Sequence, residues 1–306
     1  MLFTSPRLLL LPALFVVAAR ADAQMPRVMR IAVAPAETLH VSISGRGDPV
    51  VIVPGIWSLT YAFRKVIPPL ADSGMQVIVI EPLGVASSGR PQKADYSITA
   101  QSRRIGAALD SLGVREALFI GQALSTSMLL RLAIGTPDRV RGIVSLEGGA
   151  AETSASPGLK MGFAVAAVLF RIIPSRGIMR RRLRRDLENV SGDRSWITSE
   201  VVDNYLAPWT RKISATLNTY RSIAGSKEPR PMRPSLGKVQ APLQLLVGTA
   251  PHFGATEPAE IEPFMTMGSK FSITRIPGAG HLIHEERPDE VIAAVMGFRR
   301  RLAPAR

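Results

Sequence analysis

Eight short runs rich in Val, Ile and Leu, each bounded by turn-forming residues, punctuate this chain, and most are separated by longer stretches with apolar residues at helical spacing. The runs fall at residues 28–32, 39–44, 50–53, 76–80, 116–120, 142–146, 243–247 and 272–276. Short apolar runs of this kind suit strands buried on both faces, and the helices between them supply the crossovers that parallel strands require. The pattern predicts an α/β fold, a mostly parallel sheet flanked by helices. Helical spacing predicts helices over 61–72, 98–112, 124–134 and 288–302, the last opened by Pro288, which suits a first helical turn.

The rhythm breaks between residues 150 and 238, a stretch of helical propensity between the sixth and seventh runs. It reads as a helical cap inserted after the sixth strand, leaving a core of residues 24–149 and 239–306. Positions 151 to 238 hold 16 basic against 7 acidic residues, so most of the net charge of +14 sits in the cap. A nucleic-acid partner is not expected: 31 of the 38 basic residues are arginine, a bias that base composition alone can produce, and no basic and aromatic residues interleave. The apolar stretch 161–170 followed by the Arg-Arg-Arg-Leu-Arg-Arg run at 180–185 has two readings. One is a buried cap helix followed by a solvated basic helix; the other is an interfacial element making weak contact with an anionic membrane.

Residues 1–23 have the form of a cleaved export signal: Arg7, an apolar run at 8–19, and Ala21-Asp22-Ala23 as a cleavage site. The run is well short of the roughly 20 residues that span a bilayer, so the expectation is a secreted or periplasmic protein. The absence of cysteine removes disulfides, thiolate catalysis and cysteine zinc sites, and only four histidines remain. No metal or cofactor is expected, and oligomeric state is not legible.

Local motifs carry the chemistry. Phe119-Ile120-Gly121-Gln122-Ala123-Leu124-Ser125 leaves a predicted strand and enters a predicted helix, Val53-Pro54-Gly55-Ile56-Trp57 follows another strand, and 277–288 reads Pro-Gly-Ala-Gly-His-Leu-Ile-His-Glu-Glu-Arg-Pro. Together these resemble the α/β-hydrolase fold superfamily, in its haloalkane dehalogenase and epoxide hydrolase branch. The first segment stands where that family carries its G-x-S-x-G nucleophile elbow. Here the pattern is G-x-A-x-S: the nucleophile position holds Ala123, and Ser125, two places into the helix, points away from the elbow tip.

The same resemblance implies an oxyanion hole from the backbone N–H groups of Ile56 and Leu124. It makes His281, in the family's G-H-x-x-H-x-E-x-P pattern, the catalytic base, and His284 a structural residue. The usual acid position falls near Pro251, so the acid is expected at Glu147, after the sixth strand, where one subgroup of haloalkane dehalogenases places its glutamate. Residues 61–68 also look like that branch, and the loop 81–88 resembles a D-x-x-G-x-G-x-S segment with Glu81 for aspartate. Trp57, Gln122 and the His252-Phe253 pair are expected around the pocket, none of them catalytic.

Without a hydroxyl, thiol or carboxylate at position 123, no covalent intermediate forms there. Three readings follow. His281 and Glu147 work with the oxyanion hole on a small, largely apolar substrate, by water attack or by decarboxylation or lyase chemistry; the chain is a ligand-binding pseudo-hydrolase; or it is an inactivated variant of a conventional serine esterase.

Overall fold

All eight apolar runs form strands in the computed structural model, which describes residues 25–154, 176–210 and 213–302. They are β1 (Arg27–Ala34), β2 (Glu37–Ser44), β3 (Asp48–Val53), β4 (Met75–Glu81), β5 (Ala117–Gln122), β6 (Val140–Leu146), β7 (Leu243–Gly248) and β8 (Phe271–Ile276). One sheet holds them in the order β1-β2-β4-β3-β5-β6-β7-β8. Only the pairs made by β2 are antiparallel; from β4 to β8 the sheet is parallel. The central strand β5 is buried at every position, as the continuous apolar run requires.

The strand order reverses direction between β3 and β5, whose registers place Val53 opposite Gly121. An open parallel sheet has its crevice at such a switch point, beyond the C-terminal strand ends. The two loops singled out in the sequence, after β3 and after β5, therefore emerge side by side at the crevice.

Helix α1 is Ile67–Asp72, α2 is Ile98–Leu112 and α3 is Leu124–Gly135. The Ser97 side chain accepts from Ala100 N at the start of α2, and Gly113 closes that helix in the left-handed conformation. The single helix expected over 61–72 divides into a 3-10 turn, Thr60–Phe63, and α1. Pro68 and Pro69 explain the division: they have no N–H to donate and fit only in a first turn, so the α-helix starts just before them.

Between β6 and β7 lie α4 (Arg176–Val190), α5 (Ser199–Thr210) and α6 (Ile213–Gly225). After β8, a one-turn helix at Ile283–Glu286 leads to α7 (Pro288–Leu302). The export signal at 1–23 and the apolar stretch at 161–170 lie outside the described residues. Among the described residues, no helix is long and apolar enough to cross a membrane. Several arginines of the basic run are engaged within the cap: Arg180 pairs with Asp203 at 2.9 Å, Arg182 with Asp186 at 3.0 Å, and Arg184 donates to the Ile197 carbonyl at 2.8 Å.

Two latches join cap and core. Glu285, its side chain buried, takes Arg64 at 2.5 Å and the Tyr205 hydroxyl of α5 at 2.9 Å. Trp57 packs against both Trp209 and Tyr220 of the cap, at ring-centroid distances of 5.0 and 4.9 Å, and those two rings stack on each other at 4.6 Å. Glu285→Ala strips a partly buried cation and a buried phenol of their common acceptor, and is expected to cost about 2 kcal/mol, less than a fully buried pair because Arg64 keeps some contact with water. Urea unfolding would show this as a lower midpoint at an unchanged slope.

Candidate active site

The elbow begins with the need for small residues where strand turns directly into helix. A Cβ on Gly121 would stand 2.9 Å from Leu129 Cδ1 and 3.0 Å from Thr126 N, so glycine is required there. Ala123 caps α3 with φ 49° and ψ −123°. An L-residue in that region stores on the order of 1–3 kcal/mol of strain, and the chain carries it without glycine.

Side-chain ties hold the neighbouring loop against this turn. Ser125 Oγ, fully buried, donates to the Pro54 carbonyl at 2.6 Å, and Gln122 Oε1 accepts from Gly55 N at 3.1 Å. Ser125 thus braces the β3 loop and faces away from the elbow tip. The N–H groups of Ile56 and Leu124, beyond the ends of adjacent parallel strands, donate no hydrogen bond among the described residues. The Tyr220 hydroxyl of α6 donates to the Ile56 carbonyl, tying the next peptide of the same loop to the cap.

Glu147 follows the last residue of β6 with φ 48°, another left-handed position. Its side chain is 1% exposed. The carboxylate accepts from Gly248 N, from Thr256 N at 3.1 Å and from Thr256 Oγ1 at 2.9 Å. Burial works to raise its pKa. The adjacent His252, these donors and His281 overcome that and hold it below the usual carboxylate range, so the group is ionised at neutral pH.

His281 sits on the loop after β8, and its backbone N–H donates to the Val190 carbonyl of the cap at 2.7 Å. Burial lowers the pKa of its ring, against the opposing pull of Glu147, which leaves a neutral imidazole at pH 7. His284, fully buried, stacks on Phe63 at 4.3 Å, and burial presses its pKa down to about 3.

His252 was expected near the pocket, but sequence reasoning missed its place in the charged cluster. Its Nδ1 lies 2.7 Å from the Ala250 carbonyl and its Nε2 lies 3.8 Å from Glu147 Oε2. The adjacent Glu147 carboxylate raises its pKa, against the opposing effect of burial. One ligand atom from each of Glu147, His252 and His281 lies within 4.8 Å of the other two. A lone histidine four residues after β7 carries no spacing signal, and its partner is distant in sequence.

Ala123, Leu124 and Glu147 share the wall of one cavity of about 200 Å3. Thr153, Ser154, Thr256 and Glu260 also line it, giving a more polar surface than a largely apolar substrate would need. Among the described residues, Trp57 and Gln122 stand outside this wall: Trp57 is in the aromatic stack and 46% exposed, and Gln122 is buried against Gly55. His281 lies beyond Glu147, not in the wall itself.

A family model described as the alpha/beta hydrolase fold matches residues 48–171. The chain is 26% identical over 297 residues to epoxide hydrolase A of Mycobacterium tuberculosis, covering 82% of this chain and 90% of that protein. It is 24% identical to haloalkane dehalogenase 2 of Mycobacterium bovis, covering 84% and 90%. Among solved structures, Cfl2 from Burkholderia cenocepacia superposes with a TM-score of 0.75 at 22% identity, covering 89% of this chain and 95% of that one. The epoxide hydrolase CorEH superposes at 0.74 with 18% identity, covering 90% and all of the other chain.

Proposed function

We propose that this chain, which has the α/β-hydrolase fold, is an enzyme whose site works on a small molecule without a covalent nucleophile. The substrate lies over Ala123, in the space a nucleophile side chain would occupy. Developing negative charge on its oxygen meets the Ile56 and Leu124 N–H groups, a reading supported by their donating no hydrogen bond among the described residues. His281, neutral at pH 7, accepts a proton from an attacking water, and the nearby Glu147 carboxylate stabilises the imidazolium that results. Water-attack hydrolysis is the favoured chemistry; decarboxylation or lyase cleavage needs the same base and the same donors. The polar cavity wall favours a substrate with hydrogen-bonding groups.

One observation carries this reading: Ala123 is held in a strained elbow conformation, in the wall of the same cavity as the ionised, buried Glu147. A module that only bound a ligand would need neither the strain nor the buried charge. The test is a screen of esters, lactones, epoxides and β-keto acids with wild type and His281→Ala. Loss of the base is expected to lower turnover about 10²- to 10⁴-fold. Unchanged turnover in the folded variant would overturn the reading.

A further inference from the structure

Two of the four histidines converge with a carboxylate from three separate segments, the end of β6, the loop after β7 and the loop after β8, all at the C-terminal edge of the sheet. From this arrangement we propose that Glu147, His252 and His281 bind a divalent transition-metal cation. The ligand types suit zinc or a neighbouring first-row metal; magnesium and calcium call for oxygen alone.

Unsatisfied polar atoms point the same way. His252 Nε2 and His281 Nδ1 are buried and make no hydrogen bond among the described residues. Buried ring nitrogens are almost always paired, and leaving them bare costs free energy that a cation would return. The side chains of His252 and Glu147 are each only 1% exposed, so bulk water does not compensate.

The outer contacts also fit. His252 Nδ1, 2.7 Å from the Ala250 carbonyl, donates to it and thereby leaves Nε2 as the lone-pair nitrogen facing Glu147. Metal-binding histidines are oriented by this kind of backbone hydrogen bond, and ligating carboxylates by hydrogen bonds such as those from Gly248 and Thr256. The gap of 3.8 Å between His252 Nε2 and Glu147 Oε2 is too long for a hydrogen bond. It is close to the roughly 3.4 Å that separates ligand atoms around a tetrahedral cation with bonds near 2.0–2.1 Å.

This inference rests on the reading of the cavity over Ala123 as the reaction site, and it supplies what position 123 lacks. Glu147 belongs to both the cluster and the cavity wall, so a cation held here sits at the cavity's edge. Water on it would release a proton to solvent, the resulting hydroxide would add to the electrophilic carbon, and the bond to the leaving group would break as that group takes a proton from solvent in return. In the loaded protein His281 is a ligand, and the cation, by acidifying the water bound to it, makes a separate base unnecessary.

The experiment uses the full chain, stripped with chelator and titrated with Zn2+, Co2+ and, as a control, Mg2+. The expected result is one Zn2+ per chain by calorimetry and elemental analysis, visible Co2+ absorption bands, and no comparable uptake of Mg2+. His252→Ala and Glu147→Gln should each weaken Zn2+ at least about tenfold. Absence of stoichiometric binding, or binding undiminished in both folded variants, overturns the proposal. Should both variants fail to fold, the wild type decides: a Zn2+-dependent rise in Tm with Co2+ bands supports the site, and their absence refutes it. Failure here, with His281→Ala still abolishing turnover, leaves the metal-free reaction standing; stoichiometric binding with no turnover of any substrate does the reverse.

Discussion

Ala123→Ser is expected to raise hydrolysis of short activated esters by a factor of about 10³ or more over wild type. Loss of the nucleophile in a serine protease costs on the order of 10⁶ in turnover, while the oxyanion hole and binding alone keep about 10³ to 10⁴ over water. The backbone that presents a nucleophile is already in place here, with φ 49° and ψ −123° at the first turn of α3. The replacement adds one oxygen at the cavity wall and disturbs neither Gly121 nor the brace from Ser125 to Pro54. Initial rates on p-nitrophenyl acetate, with mass spectrometry for a covalent phosphonate adduct, would measure it. A folded variant that forms no adduct would show that the proton acceptor is out of reach of position 123, and would exclude descent from an intact serine site by this single change.

The largest expected effect on stability belongs to His284. Its folded-state pKa of about 3 lies far below the ordinary histidine value, because burial on the Phe63 ring, His281 and the nearby Arg64 and Lys65 all oppose the charged form. The unfolded chain therefore binds a proton that the folded chain refuses. Stability is whole above the unfolded pKa and falls as pH drops from about 6.5 towards 3, by an amount on the order of 4 kcal/mol. His284→Phe preserves the stacked ring and removes the titration. Urea midpoints at pH 7 and pH 4 should converge in that variant and diverge in the wild type. An equal acid loss in both proteins would assign the effect to other groups.

The sheet was legible because each strand is a continuous apolar run, and runs of that kind need no knowledge of partners. Helices at 98–112 and 288–302 were equally plain, since cap, periodicity and Pro288 agree. The helix over 61–72 was not, because the period persists through a pair of prolines that the hydrogen-bond ladder cannot accept. Motif position alone singled out Ala123, Glu147 and His281 as candidates; Ala123 and Glu147 share a cavity wall, and Glu147 and His281 lie close together. His252 was missed because what defines it is a contact across the sheet edge. The same blindness to long-range contact made Gln122 look like pocket lining, when its amide oxygen is committed to Gly55. Cavity polarity comes from Thr153, Ser154, Thr256 and Glu260, side chains on separate loops with no shared spacing.

The cap's grip on the core has a further consequence. Val190 receives the His281 N–H, and Glu286 Oε2 accepts from Gly192, Asp193 and Gly280 together, tying the end of α4 to the histidine loop; Tyr220 does the same for the loop bearing Ile56. Both chemical loops are thus shaped by residues that precede β7 in the chain. The cap is a mould for these loops, and substituting a relative's cap would recast the His281 loop and the Ile56 loop together. Substrate entry that kept the site assembled would have to come from rearrangement within the cap, with α4 and α6 staying where they are.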